Sequence, residues 1–121
     1  MAREQWPDWD VYVRDRARCV YCGLDGTKDI RVWRQLTVDH LIPGCQGGDD
    51  VYVNKVVACN RCNTLKGRQQ LRTDHKRPRD DAHRGVLIEE ARKLIELASA
   101  KQDGRADYEL MCKECEPQAR T

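Results

Sequence analysis

The chain of 121 residues has no phenylalanine and few other aromatics, three Trp and four Tyr. A large aromatic core is therefore excluded. Mean hydropathy is −0.82 and 35% of residues are charged. A short polar chain buries a small fraction of its surface and often needs a staple beyond apolar packing. Long apolar runs are also missing. Stretches such as Val86-Leu87-Ile88 are far too short to cross a bilayer, and no basic start followed by an apolar run and cleavage site marks the N-terminus as a signal peptide. A cytoplasmic, intracellular protein with no membrane partner is expected. Thiols stay reduced in that compartment, so the seven cysteines, an odd number, do not read as a disulfide framework.

An excess of one sign of charge is nearly absent overall, with a net +2, but the distribution of charge is uneven. Lys66 to Arg84 holds seven Lys/Arg against three Asp. A local basic stretch fits phosphate contact, and a solvated linker fits equally well.

The cysteines that are present carry the strongest pattern. Cys19-x-x-Cys22 and Cys59-x-x-Cys62 each place two thiolates within reach of one tetrahedral ion. Together they make a four-thiolate set, which zinc favours. Such a shell is closed, so the zinc is expected to be structural, and its binding supplies folding free energy that a small polar domain lacks. Cys112-x-x-Cys115 is a third pair without an evident complement. His75 and His83 could join it, although two ordinary thiols in a tail is the favoured reading. Cys45 is single.

Between the two knuckles, Leu36 to Ile42 is apolar and β-branched and stops at Pro43, which reads as a strand. Gly44 to Asp50 reads as a loop, Val51 to Ala58 as a second strand, and Asn60 to Gln70 as a helix capped by Asn60. Residues 8–18 read as a short helix with Asp8 as its cap, and residues 24–35 give no clear element. Leu87, Ile88, Ala91, Leu94, Ile95 and Ala98 recur at helical spacing within residues 85–102. That helix either packs on the core or serves self-association. The resulting organisation is an N-terminal helical extension (1–18), a core (19–71), a basic linker (72–84), and a C-terminal helix with a polar tail (85–121).

Leu36-Thr-Val-Asp39-His40-Leu-Ile-Pro43, then Gly47-Gly48-x-Asp50, then Asn54-x-Val-Val-Ala-Cys59-x-x-Cys62-Asn63-x-x-Lys66-Gly67, resembles the HNH endonuclease family. Cys19-x-x-Cys22-Gly23 resembles the zinc knuckle that many members carry. The ordered set is specific where an isolated Asp-His pair is not. The resemblance implies an α+β fold: a small ββα-metal (His-Me finger) core with a four-cysteine structural zinc site and flanking N- and C-terminal helices.

It also implies roles. His40 would be the general base, a task suited to imidazole near neutral pH. Asp39 and Asn63 would hold a divalent cation, in the Asn version of the final motif position. Their oxygens suit Mg²⁺ or Mn²⁺. Asn54 would steady the loop. Asp39 and His40 are adjacent on a strand and so leave on opposite faces; a bulge or twist near Pro43 is expected if both are to reach one phosphate. Lys66, Arg68 and Arg72 are candidate phosphate contacts, with Arg18 and Arg61 weaker ones. The function implied is hydrolysis of double-stranded DNA, by nicking or double-strand cleavage. The alternatives are a zinc-stabilised DNA-binding module without catalysis, or a subunit dependent on a phage packaging or restriction partner. A homodimer is a further possible assembly.

Overall fold

In the computed structural model, residues 6–101 and 104–116 are described. The elements run α1 (Trp9–Arg14), α2 (Ile30–Trp33), β1 (Leu36–His40), β2 (Lys55–Cys59), α3 (Asn60–Lys66), α4 (Asp81–Lys101) and α5 (Arg105–Glu114). β1 and β2 form an antiparallel pair whose register runs unbroken from Leu36↔Cys59 to His40↔Lys55. This mixed architecture, one small sheet with helices around it and four cysteines clustered at one end, is the α+β arrangement read from the sequence.

The strands are shorter than their apolar patterns for a local reason. Beyond His40 the ladder keeps one more in-register bond, from Leu41 N–H to the Asn54 carbonyl at 2.7 Å, and then gives way to the Asn54 side chain, whose Oδ1 accepts from Ile42 N–H at 2.9 Å. Residues Tyr52–Asn54 form a 3-10 turn, so β2 begins at Lys55 and not at Val51. α3 starts at Asn60, but its cap is Cys59, whose Sγ accepts from Cys62 N–H. Gly67, at φ 52°, ends α3 well before Gln70. Asp8 occupies the cap position of α1 in a left-handed conformation and makes no side-chain cap bond; its carboxylate accepts from Lys55 Nζ at 2.9 Å. The basic segment yields to α4 at Asp81, so residues 81–84, read as linker, are helical.

A two-stranded sheet leaves backbone groups unpaired at its edges. Here Val57 N–H donates to the Asp15 carboxylate at 2.9 Å and Val57 C=O accepts from Val20 N–H at 2.9 Å. The helix following the basic segment packs on the core: α4 buries Leu87, Ile88, Ala91 and Ile95 with Val56, Val57, Leu41 and Ile42 in one cluster. Arg92 of α4 also donates to the Val20 and Tyr21 carbonyls, fastening α4 to the first knuckle. Among the described residues, no helix is long and apolar enough to cross a membrane.

Candidate metal centre and nuclease site

The two knuckles meet. Cys19, Cys22, Cys59 and Cys62 bring their Sγ atoms within 4.8 Å of one another, with Cys22 and Cys59 at 3.8 Å. Zn–S bonds of about 2.3 Å in a tetrahedron require sulfurs about 3.8 Å apart, so the donor set fits zinc. Burial pushes the Cys22 thiol up to about 11, and burial with the neighbouring thiols pushes Cys62 up further. Burial also acts to raise Cys19, but backbone hydrogen bonds outweigh it and the net shift is downward. Ionising Cys22 and Cys62 is thus unfavourable until a cation offsets the burial and the repulsion of their neighbours. Among the described residues this is the only cluster of three or more metal-ligating His, Cys, Asp or Glu side chains. His75 and His83 do approach each other, with ring centroids 5.3 Å apart, but the described residues hold no site joining them to Cys112 and Cys115.

The first knuckle also reaches the candidate chemistry. Tyr21, between Cys19 and Cys22, donates its hydroxyl to Asp39 Oδ2 at 2.7 Å. Its phenol is held well above the ordinary range, first by burial and then by the Asp39 charge. Lys66 Nζ lies 3.0 Å from the same oxygen and donates to the His40 carbonyl, also at 3.0 Å. The Tyr21 hydrogen bond and the Lys66 ion pair therefore both fall on Oδ2, which leaves Oδ1 for another ligand. Asn63 lies three residues before Lys66 on α3 and shares its helix face.

Lys66 requires a correction. Expected at the DNA surface, it is 1% exposed. A lysine so buried needs a charge partner, and Asp39 is that partner. Arg68 and Arg72, by contrast, are exposed, as are Lys76 and Arg79. None of these four forms an ion pair among the described residues, whereas Arg77 pairs with Asp49 and Arg84 with Asp15. Arg18 is held by Asp25, and Arg61 donates to Ser99 Oγ.

Asp39 and His40 do leave β1 in different directions, and the register carries no bulge from Leu36 through His40. Asp39 meets Tyr21 and Lys66. The His40 imidazole, 38% exposed, meets Asp50, with Nε2 2.8 Å from Oδ1. Lys66 links the two through one carboxylate and one carbonyl. The Asp50 carboxyl is held below the usual carboxylate range by its hydrogen bonds to His40 and Lys55 and by the Lys55 charge. An ionised Asp50 can only accept, so Nε2 is the donor in this contact and Nδ1 is the ring nitrogen that Asp50 leaves free.

Asn54 is fully buried. Besides accepting from Ile42 N–H, its amide donates to Ile42 C=O at 3.0 Å and to Asp49 C=O at 2.9 Å. It therefore clamps the loop between Ile42 and Asp49 onto the end of β1. Gly48 completes that clamp: a Cβ there would lie 1.7 Å from the Ile42 carbonyl oxygen, so no other residue permits the loop to close so tightly. The sequence placed Gly47 and Gly48 in a loop and within the family motif, without the tight closure that Gly48 makes. It gave no role to Tyr21, Asp50 or Lys55; Asp50 stood within the quoted motif, whereas Tyr21 and Lys55 carried no signal.

Residues 19–69 match the family model described as HNH endonuclease. Neither the curated proteins nor the solved structures yielded a match. The matched segment begins at the first cysteine pair and ends just beyond α3, so it takes in the four-cysteine cluster, both strands, Asn54 and Asn63, and it supports a nuclease-type function.

Proposed function

Given an HNH endonuclease domain at residues 19–69, we propose that this protein hydrolyses phosphodiester bonds in double-stranded DNA with a divalent cation. The observation that carries the reading is the pairing of an oriented imidazole, His40 on Asp50, with a neighbouring carboxylate, Asp39, that has one oxygen fixed and one left over. Phosphodiester hydrolysis needs a base for water and a positive centre for the charge that develops on phosphorus and on the leaving oxygen.

In this reading His40 accepts the proton of the attacking water at the ring nitrogen that Asp50 does not occupy. Asp50 is a positioning residue, which fixes the ring and favours the imidazolium once formed. Asp39 and Asn63 would hold Mg²⁺ or Mn²⁺, which suits their oxygen donors. When bound, that ion supplies Lewis-acid stabilisation of the phosphate and the 3′ leaving oxygen. Lys66 and Tyr21 keep the Asp39 carboxylate in one orientation. Asn54 and Gly48 hold the loop that presents Asp50. The four-cysteine cluster acts as a structural zinc site that ties the strand pair to α3. Arg68 and Arg72 contact DNA phosphates, and the core of residues 19–71 carries the chemistry, flanked by the other segments.

A second reading is a zinc-stabilised DNA-binding module, favoured by the full neutralisation of Asp39 by Lys66. Plasmid incubated with Mg²⁺ or Mn²⁺ separates the two. Nicked or linear product that disappears in His40→Ala supports the nuclease; binding without strand breaks in either metal supports the module.

A further inference from the structure

The helix α5 (Arg105–Glu114) has every residue exposed, including Tyr108 at 61% and Met111 at 62%. An isolated helix of ten residues is marginal in water and takes its stability from packing against a partner. Tyr108, Met111, Cys112 and Cys115 fall at i, i+3, i+4 and i+7, the spacing of a single helical face. That face therefore combines two apolar side chains with two exposed thiols.

Two thiols make half of a tetrahedral zinc shell. Among the described residues, no third His, Cys, Asp or Glu ligand lies close enough to join them. Four of the chain's seven cysteines form the knuckle cluster, and Cys45 lies against the Arg68 carbonyl. Of the three histidines, His40 is engaged by Asp50, His83 accepts from Arg79 N–H, and His75 lies against the His83 ring, 5.3 Å between centroids. A redox dithiol is disfavoured by position. Reactive CxxC motifs gain thiolate character at the N-terminal end of a helix, whereas Cys112 and Cys115 lie at the C-terminal end of α5, with Cys115 its cap. There the helix dipole opposes bare thiolates.

We propose that Cys112 and Cys115 are zinc ligands and that a second copy of this chain supplies the other two, so that one zinc ion joins two α5 helices in a symmetric homodimer. The two-fold symmetry converts an incomplete pair into four thiolates and lays Tyr108 and Met111 of the two copies against each other. The assembly would join two HNH domains, and it does not depend on either of them being catalytic.

The test is zinc content and mass of the full chain, purified in reductant so that disulfide-linked species are removed. The proposal predicts about 1.5 zinc ions per chain, one in the knuckle cluster and half of a shared ion, and a dimer of about twice the 14.0 kDa chain mass. C112S/C115S should retain one zinc per chain, remain folded and become monomeric. Y108D/M111D, with both thiols intact, should weaken the dimer, which checks the apolar half of the interface separately. Replacing zinc by Co²⁺ should give tetrathiolate absorption in proportion to the same 1.5 ions. One zinc per chain in a monomer would overturn the proposal, as would two zinc ions per monomer or a dimer unchanged in C112S/C115S.

Discussion

Lys66→Met separates the buried ion pair from the phosphate contact suggested by sequence. Methionine keeps the length of the side chain and removes the ammonium. The variant loses the 3.0 Å bond to Asp39 Oδ2 and the 3.0 Å bond to the His40 carbonyl, leaving Asp39 with Tyr21 alone. Removing one partner of a buried pair costs about 3–5 kcal/mol, because the other charge stays behind. The Asp39 side chain is 12% exposed, so some hydration remains and the lower end, about 3 kcal/mol, applies. For a chain of this length that corresponds to a fall in Tm of roughly 12 °C. The assay is thermal unfolding followed by circular dichroism with zinc saturating, alongside DNA affinity measured across salt concentrations. Asp39→Asn combined with Lys66→Met removes both charges and should recover part of the loss, giving a coupling of about 1.5–3 kcal/mol in a double-mutant cycle. A Tm within about 2 °C of the parent, together with a salt slope reduced by about one, would refute the buried-pair account and restore Lys66 to the DNA surface.

Asn54→Ala strands three buried or half-buried backbone groups, at Ile42 and Asp49; a loss of about 3 kcal/mol or more in urea unfolding is expected, and a loss below about 1 kcal/mol would mean the loop is held by other means. Cys59→Ser should release the zinc and unfold the domain, since metal binding is folding here; an unchanged melting temperature contradicts a structural zinc. Because the thiols at Cys22 and Cys62 are pushed up in the metal-free cluster, loading zinc near neutral pH must expel protons. Zinc affinity should therefore fall as pH drops, and calorimetry in buffers of different ionisation heat reads the proton count; buffer-independent heats would show thiolates already present. Charge removal at exposed Arg68 and Arg72 should lower DNA affinity and flatten its salt dependence, and an unmoved slope would exclude them as phosphate contacts.

The paired CxxC spacing, the apolar strand patterns and the helical period of α4 were legible because each depends on local chemistry: ligand reach, pleat and turn. Element ends were not. β1 stops at His40 and not Ile42 because the Asn54 side chain, distant in sequence, captures the next backbone groups. α3 takes its cap from the Cys59 thiol and not from the Asn60 amide, because Asn60 is already the first helical residue. Within the site, Asn63 and Lys66 read as neighbours on one helix, but only the fold shows that α3 turns Lys66 inward onto Asp39. A run of basic residues looks alike whether it meets phosphate or a buried carboxylate. Tyr21 and Lys55 were invisible for the same reason, since their partners, Asp39, Asp8 and Asp50, are brought to them by tertiary structure. The polar tail after Asp103 carried too weak an apolar period to reveal α5, whose exposed face now holds the unmatched cysteine pair.

Cleavage of supercoiled plasmid in Mg²⁺ and in Mn²⁺, comparing the zinc-loaded chain with His40→Ala at equal DNA occupancy, tests the central claim most directly. The account predicts metal-dependent nicking or linearisation by the parent and a loss of at least about 10²-fold in the variant, the usual contribution of a general base, with DNA binding retained. Equal cleavage by the two proteins, or none by the zinc-loaded parent in either metal, would contradict it.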